Sequence, residues 1–199
     1  MVAVVALIGV AMDLALAATT ADAFPAGTHN VLNTLTYFTV MSNIIVAVTS
    51  ALLATRWPNT TKFNALLLDG LICIIVTAVV YHTMIGPTAN PTGWDAISNF
   101  FTHTLVPALA VVGWLVFGPR RRFNKLTVEL SLVIPIGWLI FTTIRGAVTH
   151  YYPYDFVNVN ELGYTQVAIT CMVIIAMFVA LALATIPIDR ALTSATEPG

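Results

Sequence analysis

Charge is what this sequence has least of. Charged residues fill 9% of its 199 positions, where a soluble domain carries roughly 25%. That shortage excludes an ordinary soluble enzyme, a disordered chain and a collagen. The net charge of −1 offers nothing to a nucleic-acid partner. Cysteine is scarce too: Cys73 and Cys171 are the only two. They form no CxxC pair, so a disulfide framework and a metal motif are both unexpected, and each reads as a small, reduced, buried thiol. There is no internal repeat and no low-complexity stretch. Hydrophobic residues, by contrast, make up 58% of the chain, which points to an integral membrane protein.

Six apolar runs are readable, near 1–20, 31–55, 63–86, 94–117, 126–148 and 161–186. Each matches the ~20 residues that cross a bilayer as a helix. Lipid leaves backbone groups no partner outside the segment, so runs of this length without strict alternation are helices. The expected fold is therefore an all-α membrane protein: one six-helix domain over residues 1–190, with a disordered tail at 191–199. The connections are too short for a soluble domain.

Basic residues give the orientation. Arg56, Lys62, Arg120, Arg121, Arg122, Lys125 and Arg190 all fall on the side of the six-span scheme that holds both termini. The opposite loops, near 21–30, 87–93 and 149–160, contain no Lys or Arg. The positive-inside rule then places both termini in the cytoplasm. The stretch A-L-A-A-T-T-A-D-A resembles a signal-peptide cleavage region. No basic residue precedes that first run, so it is expected to stay as a span.

Ionisable groups inside a span are costly and point to function by default. Here they are Asp13, Asp69, His82, His103, Glu129 and Arg145, with His29, His150, Asp155 and Glu161 at the outer margin. Span two carries Thr36, Thr39, Ser42, Asn43 and Ser50. Thr39, Ser42 and Asn43 are three and four apart, neighbours on one helix face. Span four carries Asn99, Thr102, His103 and Thr104, with Asn99 and His103 four apart. Counted from the outer ends of their spans, Thr39 and His103 both lie ~12–14 Å deep. A hydroxyl and an imidazole at equal depth can meet if the helices pack together. Pro107 removes the helical hydrogen bond to the His103 carbonyl, and Pro135 does the same for Ser131. In span five, Ser131, Pro135, Trp138, Thr142, Arg145 and Thr149 form one face. The Arg145 guanidinium can hold a carboxylate bidentately, or pair with Asp13, Asp155 or Glu161. Asp69 and Glu129 can pair with each other or with the basic loops.

Three segments carry a family resemblance: L-T-Y-F-T-V-M-S-N-I-I in span two, N-F-F-T-H-T-L-V-P in span four, and H-Y-Y-P-Y-D-F-V-N-V-N-E-L-G-Y entering span six. They resemble F-T-x-x-S/T-N, H-T-x-x-P, and Y-P-Y-x-F with L-G-Y in bacterial six-pass membrane proteins. Those proteins are distantly similar to the androgen-induced and androgen-dependent-regulating membrane proteins, threonine hydrolases of fatty acid esters of hydroxy fatty acids. The resemblance implies an intramembrane ester hydrolase with Thr39 as nucleophile and His103 as general base, acting on a lipid or fatty-acid ester without a cofactor. The chemistry is coherent: a threonine hydroxyl needs a base to take its proton, and an apolar site favours the uncharged imidazole that can do so. The freed His103 carbonyl or Asn99 can set the tautomer, and Ser42 or Asn43 can donate to the oxyanion. His82 can serve as a ligand, a relay or a cap.

Two other classes stay open at this point. A small-molecule carrier or proton-coupled permease would use Asp13, Asp69, His82, Glu129 and Arg145 as relay groups, though no repeat relates the halves. A non-catalytic lipid-binding protein needs none of them. Ligation of a metal or haem by His82, His103 and His150 fits no known spacing.

Overall fold

The computed structural model describes residues 1–20, 30–55 and 59–194. Every regular element among them is helical. The helices are α1 (Val2–Thr19), α2 (Asn30–Leu35), α3 (Phe38–Ala54), α4 (Thr61–Val80), α5 (Gly93–Phe100), α6 (Val106–Phe117), α7 (Lys125–Ser131), α8 (Val133–Thr149) and α9 (Val159–Ser194). A π-helical turn, Tyr81–Ile85, extends α4, and a second, Phe101–Leu105, joins α5 to α6. His29 and Arg56 lie outside the described residues, as does the stretch 195–199 of the expected tail. The first part of that tail, to Ser194, continues α9.

Five helical rods are long and apolar enough to cross a membrane: Val2–Thr19, Thr61–Ile85, Gly93–Phe117, Lys125–Thr149 and Val159–Leu192. The chain is a helical protein of membrane-spanning character. Its second expected span is not one helix. It is divided at Thr36–Tyr37 into α2 and the shorter apolar α3. Tyr37 is extended there, at φ −70° and ψ 138°. The break has a tertiary cause, because the Thr36 carbonyl accepts a hydrogen bond from Trp138 Nε1 of α8 at 2.8 Å.

The remaining breaks are local and follow from proline and glycine. The first turn of α8 contains Pro135, which has no N–H for the Ser131 carbonyl, and the helix parts from α7 at Leu132. Near the start of α9, Gly163 takes φ +73°, a conformation glycine alone adopts freely. Asn124 starts α7 with a capping box closed by Thr127.

The exterior is as apolar as the interior, and the interior holds polar side chains within its apolar packing. α4 is the central post, buried against α3, α6, α7 and α9. The surrounding helices turn Leu7, Val112, Ile140, Ile144, Met172 and Val173 outward. Meanwhile Thr39, Ser42, Asn43, Asp69, Ser98 and Thr102 face inward, none more than 5% exposed. A contiguous apolar exterior around a partly polar interior is what a lipid solvent selects.

Candidate active site

The site forms where the start of α3 meets the two π turns. The α2–α3 break makes Thr39 the second residue of a helix, not one eight residues into a span as expected. Its side chain faces the Phe101–Leu105 turn, and Thr39 Oγ1 lies 3.1 Å from His103 Nε2.

The partners of the imidazole define its tautomer. Nδ1 lies 3.2 Å from the Asn99 carbonyl oxygen, which can only accept, so Nδ1 carries the hydrogen. It also lies 3.1 Å from Thr102 Oγ1, whose own hydrogen goes to the Ser98 carbonyl at 3.0 Å. Both partners demand a donor at Nδ1. Nε2 is therefore left with a lone pair aimed at the Thr39 hydroxyl. Tyr81, from the other π turn, stacks on the same ring at 3.9 Å between centroids.

Asn99 thus serves through its backbone. Its side chain turns away to Asp95, donating to the backbone oxygen at 2.9 Å and to the carboxylate at 3.0 Å. The freed carbonyl also differs from the expected one. Val106 N–H bonds to the Phe101 oxygen, a five-residue step. In that register the hydrogen missing at Pro107 is the one Thr102 O would accept. Asn43 Nδ2 replaces it at 3.2 Å and donates to the Thr39 oxygen at 2.8 Å. Both amide hydrogens of Asn43 are spent on the backbone. Ser42 is spent as well: its hydroxyl donates to the Thr39 oxygen at 2.9 Å and sits 2.9 Å from Thr77 Oγ1 of α4. These two residues brace the site and have no hydrogen to offer an oxyanion.

Tyr154, of the Y-P-Y-D-F segment, is the other hydroxyl in contact with Thr39. Its hydroxyl lies 3.2 Å from the Thr39 N–H, which donates to it, and 3.3 Å from Thr39 Oγ1. Desolvation pushes the Tyr154 phenol up to about 12, so it keeps its proton and can donate. Residue-type reasoning passed over Tyr81 and Tyr154. For Tyr154 the signal was the Y-P-Y-D-F segment itself; for Tyr81 there was none.

The remaining polar candidates spread out. Arg145 donates to Asn33 Oδ1 and, at 3.4 Å, to Thr36 Oγ1, and it lies over the Tyr151 ring at 5.1 Å. None of its three expected carboxylate partners is bonded to it among the described residues: Asp13 accepts from Ser98, while Asp155 and Glu161 are exposed. His82 Nε2 reaches Thr104 Oγ1 at 3.1 Å on the exposed flank of the paired π turns. Asp69 accepts from Cys73 on its own helix, and Glu129 is exposed, so those two carboxylates do not pair. Among the described residues no three His, Cys, Asp or Glu side chains group to hold a metal.

An apolar cavity adjoins Thr39 and His103, walled by α4, α8 and α9. Phe38 and Trp138 meet edge to face at its rim, 5.0 Å between centroids. Neither a family model, nor a curated protein, nor a solved structure matches the chain.

The bracing role of Asn43 is testable. Asn43→Ala strands the Thr102 carbonyl, worth about 1–3 kcal/mol when buried unpaired, while the Thr39 carbonyl keeps its bond from Ser42. A clearly lower melting temperature in detergent is expected, and a melt equal to wild type would show that Asn43 does not hold the site.

Proposed function

We propose that the protein is an intramembrane hydrolase of lipid carboxylic esters, with Thr39 as nucleophile and His103 as general base. One observation carries this reading: the Thr39 hydroxyl sits on the bare nitrogen of an imidazole whose other nitrogen is committed to a carbonyl. That is the pairing an activated hydroxyl nucleophile needs.

The reaction runs in two steps. Thr39 Oγ1 attacks the ester carbonyl carbon as its proton passes to His103 Nε2. The tetrahedral intermediate collapses, the C–O bond to the alcohol breaks, and His103 returns the proton to the departing alkoxide. Water then attacks the threonine ester, again giving its proton to His103, and the acid is released as Thr39 recovers its hydrogen. Tyr154 Oη, already touching the hydroxyl and the N–H of Thr39, is the donor nearest the developing oxyanion.

The substrates are fatty acid esters of hydroxy fatty acids, a reading that rests on the resemblance of the three motif segments. Such an ester carries a free carboxylate, and the cation to receive it is Arg145, bonded to Thr36 across the helix break from Thr39. The setting is a bacterial inner membrane crossed six times with both termini inside, α2 and α3 together making the second crossing. The one-sided distribution of Lys and Arg supports that arrangement.

Three measurements test these statements. Fluorophosphonate labelling of the purified protein is expected for wild type and absent for Thr39→Ala, with His103→Ala slowed about 100-fold or more; labelling that persists in a folded Thr39→Ala protein removes the nucleophile. Arg145→Gln is expected to raise KM about tenfold for a carboxylate-bearing ester and to spare its methyl ester; equal effects on both would take Arg145 out of substrate binding. In a cysteine-free background, Asn158→Cys is expected to react with an impermeant maleimide on intact cells and Lys125→Cys only after lysis. The reverse pattern would invert the topology.

A further inference from the structure

The cavity beside Thr39 and His103 runs inward along α9. Its wall there is Cys171, Ile174, Ile175 and Phe178, whose steps of three and four make one helix face. Cys171 packs with the cluster of Tyr152, Val157 and Val167, beside Tyr154, whereas Phe178 lies farther along α9 and packs with Leu68 and Phe123. Seven residues of helix between them amount to about 10 Å. Leu132, at the break between α7 and α8, lines the cavity and packs on the same cluster as Phe178. Along α8 and α9 these two are the lining residues farthest from Leu139 and Cys171.

The same cavity is open on one side. α8 and α9 both line it yet scarcely touch each other. Ile136 of α8 and Ile175 of α9 face the cavity while remaining 41% and 38% exposed. The seam between them faces the apolar exterior, where lipid lies. Inward of Thr77, whose hydroxyl is engaged by Ser42, the wall turns apolar. A slot of this kind has nothing to offer a headgroup or a sugar, and much to offer methylenes.

We propose that the seam between α8 and α9 admits an unbranched acyl chain from the bilayer, that the chain lies along α9 with its carbonyl at Thr39, and that Phe178 sets its maximum length. The proposal rests on the hydrolase reading and adds to it the acyl arm of the substrate and the residue that measures it.

The test is hydrolysis of p-nitrophenyl acetate, octanoate and palmitate by the purified full-length protein in detergent, as wild type, Phe178→Ala and Ile174→Trp, with thermal melts for each. Phe178→Ala is expected to raise the palmitate-to-octanoate ratio of kcat/KM about tenfold, and Ile174→Trp to lower it by a similar factor. Folded variants that keep the wild-type ratio would overturn the proposal while leaving the hydrolase standing. A wild type inert to all three esters would instead overturn the hydrolase reading, and the acyl slot with it. If Phe178→Ala does not fold, Ile174→Trp decides alone, because it fills space and opens none.

Discussion

The hydrogen bonds from Asn43 hold the two halves of the site together. One amide hydrogen goes to the carbonyl of Thr39 and the other to the carbonyl of Thr102. The first belongs to the turn that carries the hydroxyl, the second to the turn that carries the imidazole. In water either carbonyl would find another partner. Inside this fold Asn43 and Thr102 are both fully buried, and an unpaired carbonyl there is expensive. The proline that opens the π turn and the asparagine that repairs it therefore act as one device. Pro107 frees an acceptor, and the acceptor is satisfied only when α3 docks at the register that brings Thr39 to His103.

Much of this architecture was legible in residue order, and most of the illegible part has a common cause. Hydropathy located the apolar rods, because a lipid solvent imposes a length and a composition on each. Counting residues from the span ends placed Thr39 and His103 at the same depth, and they do touch. What counting missed was register. A straight α-helix assigns the carbonyl freed by Pro107 to His103, while the π turn shifts it to Thr102. A straight span puts Thr39 mid-helix, whereas the bond from Trp138 to the Thr36 carbonyl cuts the span and leaves Thr39 in a first turn. Both deviations are decided by side chains far away in sequence. Asn99 is a local case: spacing found the right residue and the wrong atom, because its side chain turns to Asp95 four residues back and leaves the carbonyl to His103.

The two π turns lie against each other, Tyr81 and His82 of one meeting His103 and Thr104 of the other. Each inserts one extra residue into a turn, which rotates the side chains after it relative to those before. In the first, the rotation sets Tyr81 over the His103 ring and sends His82 to Thr104. In the second, it turns His103 toward α3 while Thr102 stays buried behind it. The imidazole is thus held at both nitrogens and on one face. A ring so constrained has its orientation fixed by the fold itself.

The choice of a carbonyl as the partner of Nδ1 follows from that same environment. In water-facing hydrolases a carboxylate takes this position and stabilises the imidazolium that forms during the reaction. Within a bilayer an ionised carboxylate beside a neutral imidazole is costly whenever the reaction is not under way. A backbone carbonyl fixes the tautomer equally well and carries no net charge to desolvate. Its weakness is that it stabilises an imidazolium less than a carboxylate does. Under the proposed reading the tyrosine compensates in part, because a phenol that keeps its proton can meet the negative charge as it develops on the substrate. On that reading a threonine, a histidine and a tyrosine share the proton transfers, and the charge that exists in the transition state appears only there.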